Sequence, residues 1–92
     1  MNDRVVEALG ILQEECAEVI VQISKIRRFG LHSADYNTDM QHTHRTMLET
    51  EIGDVLALVD ILKEESIISE EGITVAIQNK KDKLKKWSKL YE

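Results

Sequence analysis

Two segments of the chain, residues 12–20 and 48–56, place carboxylates among apolar residues at helical spacing. In the second segment, a rotation of about 100° per residue puts Glu51 and Asp54 inside an apolar stripe rather than opposite it. The other members of this stripe are Met47, Leu48, Val55, Leu58, Ile61 and Leu62. Because an unpaired buried carboxylate is costly, the stripe requires a proton, a cationic side chain or a metal ion beside its acids.

The first segment carries three glutamates on neighbouring helical turns. Glu14 and Glu18 are four residues apart and Glu15 and Glu18 are three apart, so all three gather on one side of the helix. If the two helices pack antiparallel, up to five carboxylates converge and repel one another. Oxygen ligands in that number favour Mg²⁺ or Mn²⁺, and the sequence therefore predicts a divalent metal site.

The chain resembles the all-α nucleoside triphosphate pyrophosphohydrolases, the MazG-like superfamily, in two motifs. They are Glu14-Glu15-x-x-Glu18 and Glu51-x-Gly53-Asp54. The resemblance covers most of the chain and extends to its order of helix, polar loop, helix, helix. It implies one domain over residues 1–92 that hydrolyses a nucleoside or deoxynucleoside triphosphate to the monophosphate and pyrophosphate, with Mg²⁺ (or Mn²⁺) as cofactor.

The resemblance also implies roles for individual residues. The expected metal ligands are Glu15, Glu18, Glu51 and Asp54. Glu14 and Glu15 are the candidate catalytic residues, and spacing does not decide whether Glu14 binds metal or takes the proton from the attacking water. For substrate binding, the resemblance implies Asn79 and Lys83, with Lys80 and Lys86 as further candidates. Position on the first helix adds Gln22 and Lys25 to the expected substrate-binding side chains, with Arg28 as a further candidate.

Composition and periodicity predict a small all-α protein. The 92 residues include no proline and only four glycines, and their apolar positions recur at helical spacing in three stretches. We expect a small antiparallel helical bundle of three main helices, with room for a short fourth. Leu56, Val59 and Leu62 exceed the needs of one small core, so we expect subunits to assemble as a homodimer or homotetramer in a four-helix-type bundle.

Local signals predict helices over residues 2–28, 43–65 and 69–91. Asn2 or Asp3 can cap the first helix and Ser69 the third, and Gly30 is a suitable stop. The third helix is expected to bury one apolar stripe, which comprises Ile73, Ile77, Leu84, Trp87 and Leu90 or Tyr91.

Residues 31–44 lack periodicity and are expected to form a loop. Tyr36 is expected either to anchor this loop on the core or to stack on a base. Three histidines, His32, His42 and His44, are a weak metal pattern because no cysteine or well-spaced third ligand accompanies them.

The overall composition also limits the expected partners and setting. A net charge of −5 and few aromatic residues disfavour a nucleic acid polymer as partner. No apolar run is long enough for a membrane span. Cys16, the single cysteine, is expected to be a buried packing thiol in a cytoplasmic protein.

Three rival functions are compatible with parts of the pattern. A phosphoribosyl-ATP pyrophosphohydrolase shares the acidic motifs and the chain length. A carboxylate-bridged di-iron bundle needs Glu-x-x-His pairs, which these glutamates lack. A non-catalytic helical interaction module would carry the same acids without turning over a nucleotide.

Overall fold

The computed structural model describes residues 1–34 and 42–92, so the prediction made for Tyr36 lies outside the described residues. The described chain forms three helices, α1 (Asp3–Phe29), α2 (His44–Glu64) and α3 (Glu70–Trp87). In these ranges, extended pairing is limited to one antiparallel bridge between Ala34 and Thr43. The predicted all-α fold is confirmed.

The helix ends follow local capping chemistry. Asn2 caps α1 by accepting a hydrogen bond from the backbone N–H of Val5 at 2.8 Å. Ser69 caps α3 in the same way, accepting from the backbone N–H of Gly72 at 3.0 Å. Gly30 ends α1 with φ +90° and donates its N–H to the carbonyl of Ile26, so the two caps and the stop predicted from sequence are confirmed.

The end of α3 differs from the prediction, because the helix stops at Trp87 rather than near Tyr91. The Ser88 hydroxyl donates to the carbonyl of Leu84 at 2.6 Å and accepts from the N–H of Leu90 at 3.2 Å. A serine side chain that bonds nearby backbone groups competes with helix continuation, which accounts for the earlier end.

The chain divides into two compact units, Met1–Ile61 and Leu62–Glu92. The first contains α1 and most of α2, and the second contains the end of α2 together with α3. Within the second unit, Lys63 forms an ion pair with Glu70 at 2.8 Å, and the N–H of Ile67 donates to the carbonyl of Leu62. These contacts close the short turn between the two helices.

In the first unit, α1 and α2 pack antiparallel with a repeat of seven residues. Gln22 of α1 contacts His44, the first residue of α2. Seven residues back along α1 and seven forward along α2, Glu15 lies beside Glu51. Seven residues are close to two helical turns, so both contacts lie on one face of each helix.

The same register continues towards the start of α1. Another seven residues along each helix lead to Ala8 and Leu58, which are both buried. We call this face the α1–α2 seam, defined by residues 8, 15 and 22 of α1 with residues 44, 51 and 58 of α2. Its three layers are apolar, acidic and neutral polar in turn.

Several predictions of burial are wrong for the chain on its own. Leu62, assigned from sequence to a second subunit, is buried within the chain, whereas Leu56 is 56% exposed. Cys16 is exposed rather than buried. No residue of α3 is buried, and Trp87 is 83% exposed. Helical periodicity identifies an apolar face, but it does not show whether the chain itself covers that face.

Gly30→Ala is expected to lower the free energy of unfolding by about 1–3 kcal/mol. Its φ of +90° and ψ of 166° belong to a region that is almost exclusive to glycine. Gly10→Ala, in the middle of α1, is expected to raise the same quantity by roughly 0.5–1 kcal/mol. An added Cβ meets no atom within 4 Å at either site, so backbone conformation alone separates the two variants.

Urea unfolding of both variants at one protein concentration checks this prediction. Equal effects of the two substitutions would contradict the proposed role of Gly30 in ending α1.

Candidate metal centre

Three of the four predicted metal ligands lie together where α1 packs on α2, at and beside the α1–α2 seam. Glu15 of α1 and Glu51 and Asp54 of α2 each offer a carboxylate oxygen, and these three oxygens lie within 4.8 Å of one another. Glu51 and Asp54 are three residues apart, so they project from adjacent turns of α2 on the same side. Glu15 and Glu51 are half-buried.

The pKa of Glu15 is raised above its ordinary value. The largest cause is desolvation by burial, followed by the negative charges of Asp54 and Glu51. A side-chain hydrogen bond with Asp54 acts in the same direction. Folding therefore makes Glu15 a weaker acid than a free glutamate, because burial and the neighbouring carboxylates both disfavour its ionised form.

The other two acids of the first motif lie outside this group of three. Glu18, on the next turn of α1, is exposed, yet its charge contributes to the raised pKa of Glu15. Glu14 is exposed on the same helix. Antiparallel packing therefore gathers three of the five acids closely, with Glu18 near enough to act on them electrostatically.

The three oxygens suit a divalent cation that prefers oxygen ligands. Mg²⁺–oxygen distances of about 2.0–2.1 Å place ligand atoms roughly 3–4 Å apart around the ion. The separations of up to 4.8 Å therefore need to close by no more than about 1–2 Å, which carboxylate side chains can supply by rotation. No histidine belongs to an acidic group of this kind in residues 1–34 and 42–92, which favours Mg²⁺ or Mn²⁺ over zinc or a di-iron centre.

The predicted substrate-binding residues are divided between the two units. Gln22 is only 4% exposed, and its amide nitrogen is directed at His44. Lys25 is half-buried on α1, ten residues beyond Glu15, which separates their Cα atoms by roughly 15 Å. Asn79 and Lys83 are exposed on α3. A contact between any of these four side chains and substrate stays a prediction.

Sequence reasoning missed the burial of His44. The predicted second helix included this residue, but it was weighed only with His32 and His42 as a metal pattern. His44 is 1% exposed and stacks near Phe29 with ring centroids 6.0 Å apart. The signal that could have found it is the seven-residue spacing from His44 to Glu51, matched by the spacing from Glu15 to Gln22.

Comparisons with protein-family models, curated proteins and solved structures find no match for the chain. The resemblance to the MazG-like superfamily therefore rests on the two acidic motifs and their order along the chain. Across the described residues, no helix is long and apolar enough to cross a membrane.

Glu15→Gln is expected to raise the melting temperature of the metal-free protein at neutral pH. Because folding raises the pKa of Glu15, the native state holds a proton on this carboxyl more tightly than the unfolded state does. The resulting stability is present below the unfolded pKa of about 4.3 and is lost as the pH rises through the raised value. The amide cannot ionise, so the advantage of the variant should shrink as the pH falls towards 4.

Thermal unfolding in a chelator between pH 4 and pH 8 measures this difference. Glu7→Gln, which removes an exposed glutamate from the same helix, is the matched control and should show no comparable gain. A Glu15→Gln protein no more stable than the parent at pH 7 would contradict the raised pKa of Glu15.

Proposed function

We propose that this protein is a Mg²⁺-dependent nucleoside triphosphate pyrophosphohydrolase of the MazG-like kind. The observation that carries the proposal is the meeting of Glu15, Glu51 and Asp54 in one seam. These residues come from both motifs on which the resemblance rests, and the motifs are separated along the chain by a loop and parts of two helices. Packing that brings the two motifs together supports a shared chemical role.

The cation would be held by Glu15, Glu51 and Asp54, with Glu18 on the next turn as a further ligand. When bound, it would offset the charge of the triphosphate and lower the pKa of a bound water molecule. Glu15 would have to be ionised to act as a ligand, and its raised pKa makes metal binding compete with protonation there. Glu14, exposed beside the group, is the candidate to take a proton from the attacking water.

Basic and amide side chains would bind the phosphates. Lys25 is the candidate from the unit that contains the acids, and Asn79 and Lys83 are the candidates from α3. An acidic group cannot attract a triphosphate by itself, so the cation and basic side chains such as Lys25 would have to reverse the local field.

An exposed apolar groove supports the expectation of a homodimer or homotetramer. The groove, about 280 Å³ in volume, runs along α1 and α2 next to the acids. It is lined by Cys16, Val19, Ile20, Ile52, Val55 and Leu56. A chain of 92 residues has little core of its own, and a second copy that covers this groove would enlarge it.

Mn²⁺ or Mg²⁺ is expected to raise the melting temperature of the parent protein in a concentration-dependent way, because the cation binds only the folded arrangement of carboxylates. Glu51→Gln should weaken the affinity by at least about 10-fold, the low end of the loss that follows removal of even an outer-sphere partner. Glu49→Gln is the matched control, since Glu49 is exposed on the same helix and pairs with Arg45. A melting temperature that ignores both metals would favour a non-catalytic module.

Pyrophosphate release is expected from at least one member of a panel of common ribo- and deoxyribonucleoside triphosphates. Release should require Mg²⁺ or Mn²⁺ and be lost in Glu51→Gln but not in Glu49→Gln, because only Glu51 belongs to the acidic group. Phosphoribosyl-ATP belongs in the panel, since turnover of that compound alone would select the rival enzyme. Metal binding without turnover of any compound would contradict the proposal.

A further inference from the structure

The buried contact between Gln22 and His44 is a polar feature that the proposed reaction does not use. The Gln22 amide nitrogen lies 3.1 Å from Nδ1 of the His44 ring and 3.2 Å from the His44 carbonyl oxygen. The two side chains are 4% and 1% exposed. Burying two polar side chains costs desolvation, and the hydrogen bonds between them offset this cost only while the two residues stay opposite each other.

The amide orientation of Gln22 follows from the geometry of this contact. A carbonyl oxygen can only accept, so the Gln22 amide nitrogen must be the group that faces the His44 carbonyl. The second hydrogen of that nitrogen then points at Nδ1 of His44, which therefore accepts. The His44 carbonyl therefore determines the amide orientation of Gln22.

The contact also joins three parts of the chain at one point. His44 donates its backbone N–H to the carbonyl of Ser33, and Arg45 donates to the carbonyl of Leu31. These two bonds attach the start of α2 to the residues that directly follow α1. The Gln22 side chain links this point to the body of α1, two turns back from the end of that helix.

The position of the contact in the seam gives it a consequence for the acids. Gln22 lies seven residues from Glu15 on α1, and His44 lies seven residues from Glu51 on α2. Each separation is roughly 10 Å along a helix axis. An interaction that fixes the axial position of His44 relative to Gln22 therefore also fixes the axial position of Glu51 relative to Glu15.

The spacing of the seam leaves one alternative arrangement open. Because seam positions repeat every seven residues, sliding α2 by seven residues keeps seam residues facing one another. Such a slip would place Glu15 opposite Leu58 or His44 and would separate Gln22 from His44. A buried polar pair that is satisfied in one register only is a known means by which helices select that register.

We propose that Gln22 and His44 are positioning residues, which fix the register of α2 on α1 and thereby bring Glu51 and Asp54 to Glu15. The claim that this pair brings the three carboxylates together does not depend on the proposed function. The claim that the pair thereby supports metal binding rests on the proposed function.

The single native cysteine allows the register to be measured directly. Cys16 and Ile52 line the same groove, so Ile52→Cys should form an intrachain disulfide with Cys16 under mild oxidation. Val59, seven residues further on, would take that place only in the slipped register. The experiment compares two variants, Ile52→Cys and Val59→Cys, and separates their intrachain disulfides from interchain products by mass. The ratio of the intrachain disulfide yield of the first variant to that of the second reports the relative population of the two registers.

The ratio should fall by at least about tenfold when Gln22→Met and His44→Leu are introduced together, a change that corresponds to roughly 1.4 kcal/mol of register preference. This double substitution removes the polar pair but keeps the seam filled, so circular dichroism should still show a helical protein. Gln22→Met alone is the second variant should the double variant fail to fold. Gln13→Met with His32→Leu makes the same chemical changes at exposed positions and should leave the ratio unchanged.

An unchanged ratio in the folded Gln22 and His44 variants would overturn the inference, whatever happens to stability. A parallel titration with Mn²⁺ keeps this result apart from the proposed function. A reduced ratio together with weakened Mn²⁺ affinity supports both proposals. If the parent protein binds no Mn²⁺ but the variants still show a reduced ratio, the positioning role is supported and the metal site is overturned.

Discussion

Repulsion among the carboxylates of Glu15, Glu51 and Asp54 is the constraint on which the rest of this structure depends. Three acids whose oxygens lie within 4.8 Å of one another repel when they are ionised, and this repulsion contributes to the raised pKa of Glu15. The flanking layers of the seam, Ala8 with Leu58 and Gln22 with His44, contain no lysine or arginine that could offset it. The repulsion can therefore be relieved only at the acids themselves, by proton uptake or, under the proposed function, by a bound cation. This requirement separates the acidic layer from an ordinary charged helix surface.

Much of the fold could be predicted because the relevant physics is local. Capping by Asn2 and Ser69 and termination at Gly30 depend on groups within a few residues of each helix end, so the sequence contains the complete signal. The stripe that holds Glu51 and Asp54 was also readable, because helical periodicity alone places them among apolar side chains. The end of α3 was missed for a local reason of the same kind, the competition of the Ser88 hydroxyl with the helix.

The site was less predictable because it depends on contacts between distant residues. Periodicity placed all five acids near the seam, but which of them meet depends on the level at which α2 lies on α1. The exposed Cys16, Leu56 and Trp87 illustrate a related limit. Their apolar spacing was read correctly, yet the sequence does not state whether this chain, another copy or solvent covers them.

Under the proposed function, a proton and a divalent cation would be alternative occupants of the Glu15 carboxylate. Because folding raises the pKa of Glu15, cation binding and proton release there would be thermodynamically linked. Acidification would favour the protonated, metal-free state, and a rise in pH would favour the loaded one. The acidity of the surroundings would then compete with cation concentration for control of occupancy.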